Sequence, residues 1–180
     1  MATPPVFSAG AVLTAAQMNQ IGLWLIKTQT IGSAVSSVTV SDVFSADFDN
    51  YRIIISGGTS SAFENLTLQL GATTTGYYAA SFGVTYSSGA SSTASDNNAA
   101  SFTRFGTCNT DGLIADGDII SPFLAKNTFL VSGKANNATN SGASVNNGFL
   151  NDTTSYTAFT IAPASGTITG GTIKVYGYRN

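Results

Sequence analysis

The groups in this chain that could do chemistry are few and mostly acidic. Asp47 and Asp49 lie two apart in an Ala-Asp-Phe-Asp-Asn stretch. Two carboxylates about 5–10 Å apart in a cleft are what glycoside hydrolysis requires. The same residues also suit a turn that enters a strand, where Asp hydrogen-bonds local backbone. Asp111, Asp116 and Asp118 fall in the short run Asp-Gly-Leu-Ile-Ala-Asp-Gly-Asp. Hard cations favour several such oxygens, which raises calcium. The spacing is not that of an EF-hand, and solvated turn residues are the plainer reading. There is no histidine, which removes the usual Ser-His-Asp and Cys-His nucleophiles and the commonest transition-metal ligand. The one cysteine, Cys108, excludes an intrachain disulfide and makes a zinc site implausible. No phosphate loop or dinucleotide fingerprint is present. The chain is therefore read as non-enzymatic, with no cofactor and no metal, and a glycan-degrading enzyme is the remotest alternative.

Binding chemistry is better supplied. Tyr77, Tyr78 and Tyr86 flank a low-complexity Ser/Ala/Gly/Asn stretch over 87–100. Tyrosines give large contact area at small entropic cost and stack on sugar rings, so these three are candidate contacts to a receptor or glycan. Core or cross-strand packing is the plainer role for alternating tyrosines. The seven cations are scattered singly. Phosphate recognition needs them clustered, so nucleic acid is not an expected partner. No apolar run is long enough for a membrane-spanning helix, and the first residues do not read as a signal peptide. Synthesis in a cytoplasm is expected.

The elements that must position these residues follow from composition. Only 9% of the 180 residues are charged and the net charge is −2, against about 25% charged in an ordinary soluble domain. Ser, Thr, Asn and Gly must wet the surface instead. They suit strands and tight turns and are mediocre helix formers. A surface with little net charge is also not kept apart from its neighbours by repulsion. Self-association is therefore expected.

The first 32 residues are read as an arm and a helix. Pro4 and Pro5 force an extended arm that carries Val6 and Phe7. Thr14 and Gln17 have the spacing of a capping box, and Leu13 and Met18 that of a hydrophobic staple. A helix is predicted from Ala15 to about Thr28. Met18, Ile21 and Leu25 form one stripe, and Leu23, Trp24 and Ile26 widen it. A helix that apolar must be covered. Either its own β-domain covers it, or sister copies or a partner socket do. The second is favoured, with Val6, Phe7, Leu13, Met18, Ile21, Trp24 and Leu25 as the oligomerisation and docking residues.

From residue 33 to residue 180 the period changes to two. Val38 and Val40 alternate with polar residues, Tyr51, Ile53 and Ile55 alternate with Arg52 and Ile54, and Leu66, Leu68 and Leu70 alternate with polar residues. Tyr78, Ala80, Phe82, Val84 and Tyr86 continue the alternation. The stretch 87–100 is expected to be an exposed loop. Shorter strands are predicted at 102–105, 119–123, 129–132, 145–150, 156–161 and 172–178, with turn clusters between them. About nine or ten strands without intervening helices indicate an all-β fold, an antiparallel β-sandwich of jelly-roll type.

Two stretches carry a family resemblance. Phe7-Ser-Ala-Gly-Ala-Val-Leu-Thr-Ala-Ala-Gln-Met-Asn19 resembles the N-terminal segment of tailed-bacteriophage fibre and minor virion proteins. Val38-Thr-Val-Ser-Asp-Val-Phe-Ser-Ala-Asp-Phe-Asp-Asn-Tyr-Arg-Ile-Ile-Ile55 is similar to the opening strands of their β-domains. Gly171-Thr-Ile-Lys-Val-Tyr-Gly-Tyr178 at the end has the same character. The resemblance implies a homotrimeric virion structural protein, a tail fibre or a capsid fibre or decoration protein. Its N-terminal segment would attach to other virion proteins and its β-domain would project outward. It supplies no catalytic residues. A receptor- or glycan-binding module at a fibre tip is the alternative.

Overall fold

A computed structural model describes Gly10, Val12 and residues 22–135 and 142–178. Among these the protein is all-β and no helix is present. The strands in chain order are β1 (Leu23–Thr30), β2 (Val38–Val40), β3 (Asn50–Gly57), β4 (Thr59–Ser60), β5 (Glu64–Leu70), β6 (Tyr77–Thr85) and β7 (Ser91–Ala99). They continue with β8 (Phe102–Asn109), β9 (Gly112–Ile120), β10 (Thr128–Ala135), β11 (Gly142–Leu150), β12 (Phe159–Pro163), β13 (Ile168–Thr169) and β14 (Thr172–Tyr178). Every pair of neighbouring strands is antiparallel.

Strand β9 is the branch point. On one side it pairs with β3 from Gly112's neighbour Leu113 to Ile120. On the other side β8 holds its first half and β10 its second. One branch runs β1-β14-β3-β9-β10-β11-β6-β7 and the other β2-β12-β5-β8. The two branches enclose one core, an arrangement consistent with a β-sandwich. Tyr51, Ile53 and Ile55 of β3 and Ile173 and Val175 of β14 face Leu66, Leu68 and Leu70 of β5 and Phe159 and Ile161 of β12 inside that core. Phe44 bridges the layers, 4.7 Å from Tyr51 and 5.7 Å from Phe159 between ring centroids. Tyr77 of β6 meets Phe102 of β8 edge-on at 4.9 Å. Such edge-to-face pairs add about 0.5–1.5 kcal/mol to simple burial.

Beside this core a two-stranded ribbon of β4 and β13 lies between two glycine pairs. Gly57 and Gly58 have φ of 75° and 67°, and Gly170 and Gly171 have 66° and 86°. The two pairs face each other, and a Cβ on Gly58 would collide with the Gly170 carbonyl. Only glycine holds this conformation without strain at such close approach.

Several expectations need correction. The predicted helix over Ala15 to Thr28 is not supported: its second half, Leu23 to Thr28, is strand β1, paired along β14. Residues 13–21 lie outside the described residues. A short helix gains little by itself, whereas a strand here pairs the outer edge of β14 and buries Ile31 and part of Ile26. The sheet therefore starts well before residue 33. The expected loop over 87–100 is mostly strand β7, paired to β6 after a turn at Gly89, whose N–H donates to the Thr85 carbonyl at 2.9 Å. An edge strand buries little, so Ser, Thr and Asn suffice to build it. In β6 the period is two as predicted, but the phase is reversed. Tyr77 and Gly83 point inward, while Phe82 and Val84 point to solvent.

Tyr77 tests this phase. Its hydroxyl is buried and accepts from the Leu70 N–H at 2.8 Å. Burial of the phenol raises its pKa well above the usual value, so it stays neutral. Replacing Tyr77 with Phe leaves that buried N–H without its partner, which costs about 1–3 kcal/mol. Tyr78→Phe on the opposite face is expected to change stability by less than about 0.5 kcal/mol. Urea unfolding of both variants measures the contrast, and equal effects would mean the phase assignment is wrong.

Candidate functional site

The residues expected to dock or to bring copies together divide into two groups. Val6, Phe7, Leu13, Met18 and Ile21 lie outside the described residues. Trp24 and Leu25 lie on β1, which among the described residues pairs only with β14 and so forms an open edge of the sheet. Leu23, Trp24 and Leu25 keep 43%, 47% and 50% of their surface exposed. The register shifts between Leu25 and Lys27, and this bulge interrupts the strict alternation of the strand. Three consecutive large apolar side chains thus stay uncovered at one edge.

The three tyrosines fare differently. Tyr77 is buried and cannot touch a receptor, which corrects that assignment. Tyr78 is half-buried and stacks on Phe149 with centroids 5.2 Å apart and planes 16° apart. Tyr86 is 55% exposed at the start of the β6–β7 turn. The three do not form one site.

Tyr78 leads instead to a surface that the sequence reading missed. Register places Phe129, Phe149 and Tyr78 side by side across β10, β11 and β6. The next outward row is Val131, Asn147 and Ala80, and the one after it is Gly133, Val145 and Phe82. Val84 lies beside Ala143 in the last. Phe82, Val84, Ile114, Phe129, Val131 and Val145 are each 41–57% exposed. A concavity of about 730 Å³ opens among Ile114, Val131 and Val145 and is bordered by Arg52, Asp116 and Asp118. The signal was present in the sequence. In β6 and β10 both phases of the alternation carry apolar residues, which a strand with one solvated face does not require.

The polar groups are engaged locally. Arg52 Nη2 donates to Asp116 Oδ2 at 2.6 Å, and Nη1 lies 3.6 Å from Asp118 Oδ1. The Tyr178 hydroxyl donates to Asp118 Oδ1 at 2.6 Å, and burial followed by this bond raises the phenol's pKa. Two of the three acids considered for calcium thus face a guanidinium across the sheet. Asp111 lies in the β8–β9 turn, where its N–H donates to Asn109 Oδ1 at 2.8 Å. Among the described residues no three His, Cys, Asp or Glu side chains gather as a metal site. Asp47 shares a local turn with the Ser45 hydroxyl at 3.1 Å. Cys108 is buried, which raises its thiol pKa and disfavours the reactive thiolate. Asp96, whose side chain is 6% exposed, takes Arg104 Nη1 at 2.6 Å and the Thr103 hydroxyl at 2.7 Å. This pair ties outermost β7 to β8 in the other branch.

Asp152 belongs to a second clasp. It accepts from the Tyr156 hydroxyl at 2.7 Å and the Thr154 hydroxyl at 2.8 Å, and Tyr156 meets Thr73 at 2.8 Å. The Tyr156 bond first, then Thr154, lowers the carboxyl pKa. A group whose pKa falls on folding stabilises the fold above its unfolded value and loses that contribution as pH drops through the folded value. The stability difference between wild type and Asp152→Asn is therefore expected to be full near neutrality and to shrink below about pH 4. Thermal melts across that range check it, and a difference that grows on acidification would contradict the clasp.

Compared with protein-family models, with curated proteins and with solved structures, the chain matches none.

Proposed function

We propose that this chain is a non-enzymatic structural protein of a tailed-bacteriophage particle. It acts as a homotrimeric tail fibre or as a capsid surface fibre or decoration protein anchored by its N-terminal segment. One observation carries the reading: Leu23, Trp24 and Leu25 stand uncovered on the open edge strand where the chain enters the sheet. The sequence immediately before them adds Leu13, Met18 and Ile21. Burying each such Leu or Trp side chain contributes about 1.5–3 kcal/mol. An N-terminal unit of this composition is suited to a socket on other virion proteins. The low charge supports the same reading, since little repulsion opposes close packing of copies. The finer fold assignment, a β-sandwich of jelly-roll type, belongs to this proposal and is supported by the two branches that close over one core.

Labelling the protein on intact virions and locating it by electron microscopy tests the role. Regularly placed copies on tail or capsid are expected. Absence from purified particles would defeat the proposal. In particles that carry it, Trp24→Ser with Leu25→Ser is expected to lower its occupancy severalfold.

A second reading, a receptor- or glycan-binding module at a fibre tip, is favoured by exposed Tyr86 alone. Glycan-array binding that disappears in Tyr86→Ala is the expected result under that reading, and array signals that ignore the substitution would remove it.

A further inference from the structure

We infer that the outer face of β9, β10, β11 and β6 is the surface through which one copy of this chain packs on another. The inference rests on the assembly reading above only in taking the chain to act in several copies, and it names where they meet.

Six side chains on this face, Phe82, Val84, Ile114, Phe129, Val131 and Val145, each keep 41–57% of their area in contact with solvent. Usual strand spacing and rise make the face roughly 20 Å by 30 Å. That footprint approaches the roughly 800 Å² per partner of a stable protein interface. Soluble monomers rarely leave a contiguous apolar patch larger than a few hundred Å².

The chemistry of the face selects its occupant. Its middle is neutral, with Ala80, Asn147, Ala143 and Gly133 set among the apolar side chains. Its one cation, Arg52, already faces Asp116 and Asp118. No positive field is left for phosphate or anionic headgroups. Sugar rings are a poor fit as well. Tyr78 and Phe149 stack on each other, so their mutually covered ring faces are not a platform for a pyranose. The match for such a face is another apolar sheet face with paired charges only at its border, and the molecule carries one. The aromatic row lies beside a concavity of about 730 Å³ lined by Ile114, Val131 and Val145. A second copy can seat its aromatic ridge there while presenting its own concavity or ridge in return. Ion pairs at the border would limit sliding between copies, since Arg52 and its two carboxylates supply both signs.

The location also supplies a reason for cover. Near Phe82 and Val145 the sheet is carried by the β6–β7 and β10–β11 hairpins. Beneath them lie Asn146 and Ser132, small or polar groups rather than apolar core. Burying small or polar groups there stabilises less than burying apolar ones. A sister copy would add apolar cover from outside.

The test uses the full chain in light scattering and sedimentation, over a concentration range from micromolar upward. Wild type is expected to assemble. Phe82→Asp with Val145→Asp is expected to be monomeric with an unchanged circular dichroism spectrum. Gln69→Asp, on the outer face of β5, is expected to assemble like wild type. If the double charge variant does not fold, the milder Phe82→Ser with Val131→Thr takes its place and is expected to weaken assembly at least tenfold. A wild-type monomer at every concentration overturns the inference, whether or not that monomer binds neutral phosphatidylcholine vesicles. Assembly retained by folded face variants but lost in Trp24→Ser with Leu25→Ser moves the contact to the β1 edge and also overturns it. A monomer in solution that still decorates virions would sink this interface and leave the virion role standing. Assembly through the face by a protein absent from particles would do the reverse.

Discussion

Strand β9 is hydrogen-bonded on both sides, and the rest of the molecule depends on how its second side is shared. β3 runs along one edge, while β8 and β10 divide the other. Antiparallel pairing satisfies each backbone group only if the neighbours fit without overlap. Gly117 stands where they diverge, and a Cβ there would collide with the Phe105 ring and with Ser132. The fork sends β8 into one layer and β10 into the other, and Phe105, Leu113, Ala115 and Ile119 fill the angle between them. The same period of two that turns Leu113 and Ala115 inward turns Ile114, Asp116 and Asp118 outward. One strand thus fixes both the core and the middle of the exposed face.

Low charge changes how such a molecule protects its borders. Edge strands are commonly blunted with lysine or proline, but seven Lys and Arg in the whole chain leave few to spend. β7 is kept from unwanted pairing by a polar sequence and is held in place by the part-buried Asp96–Arg104 pair. Removing Arg104 would leave the 6% exposed Asp96 side chain without its cation, which costs more than forming the pair gains. β1 carries a bulge and Lys27, whose ammonium donates to the Ser41 carbonyl at 2.8 Å, and still displays Trp24 and Leu25. Two edges of one sheet are thus treated in opposite ways, one made inert and one left adhesive.

How much of this was legible in the sequence depends on contrast between the two phases of each strand. β5 was legible because one phase is apolar and the other polar, and its burial pattern follows its leucines without exception, while β3 kept its alternation despite Ile54 on the outer phase. In β6 both Tyr77 and Tyr78 are plausible core residues, so alternation gave the strand but not its face. β10 has the same ambiguity at Phe129, Leu130 and Val131. β7 was missed because an exposed edge strand needs no apolar phase and its Ser, Thr and Asn composition resembles a loop. At β1 local signals competed with tertiary pairing. A capping box and an apolar run favour a helix, but the unpaired edge of β14 and the bulge that accommodates Leu25 favour a strand. Propensity is the weaker of these terms once a partner edge exists.

Adjacent tyrosines show why residue type alone could not locate the interaction surface. Tyr77 spends its hydroxyl on the Leu70 backbone and its ring on Phe102, both inside the fold. Tyr78, one residue on, spends its ring on Phe149 and borders a face that the fold does not cover. A strand slipped by one residue would exchange these roles and carry Gly83 outward with Phe82 inward. Gly83 leaves no room for a Cβ against Ala143 and Ser144, so the inner side of β6 at this position is shaped for a small residue and cannot accept the Phe82 ring. The outward position of Phe82 is therefore imposed by packing, and the apolar face is a consequence of how the core closes.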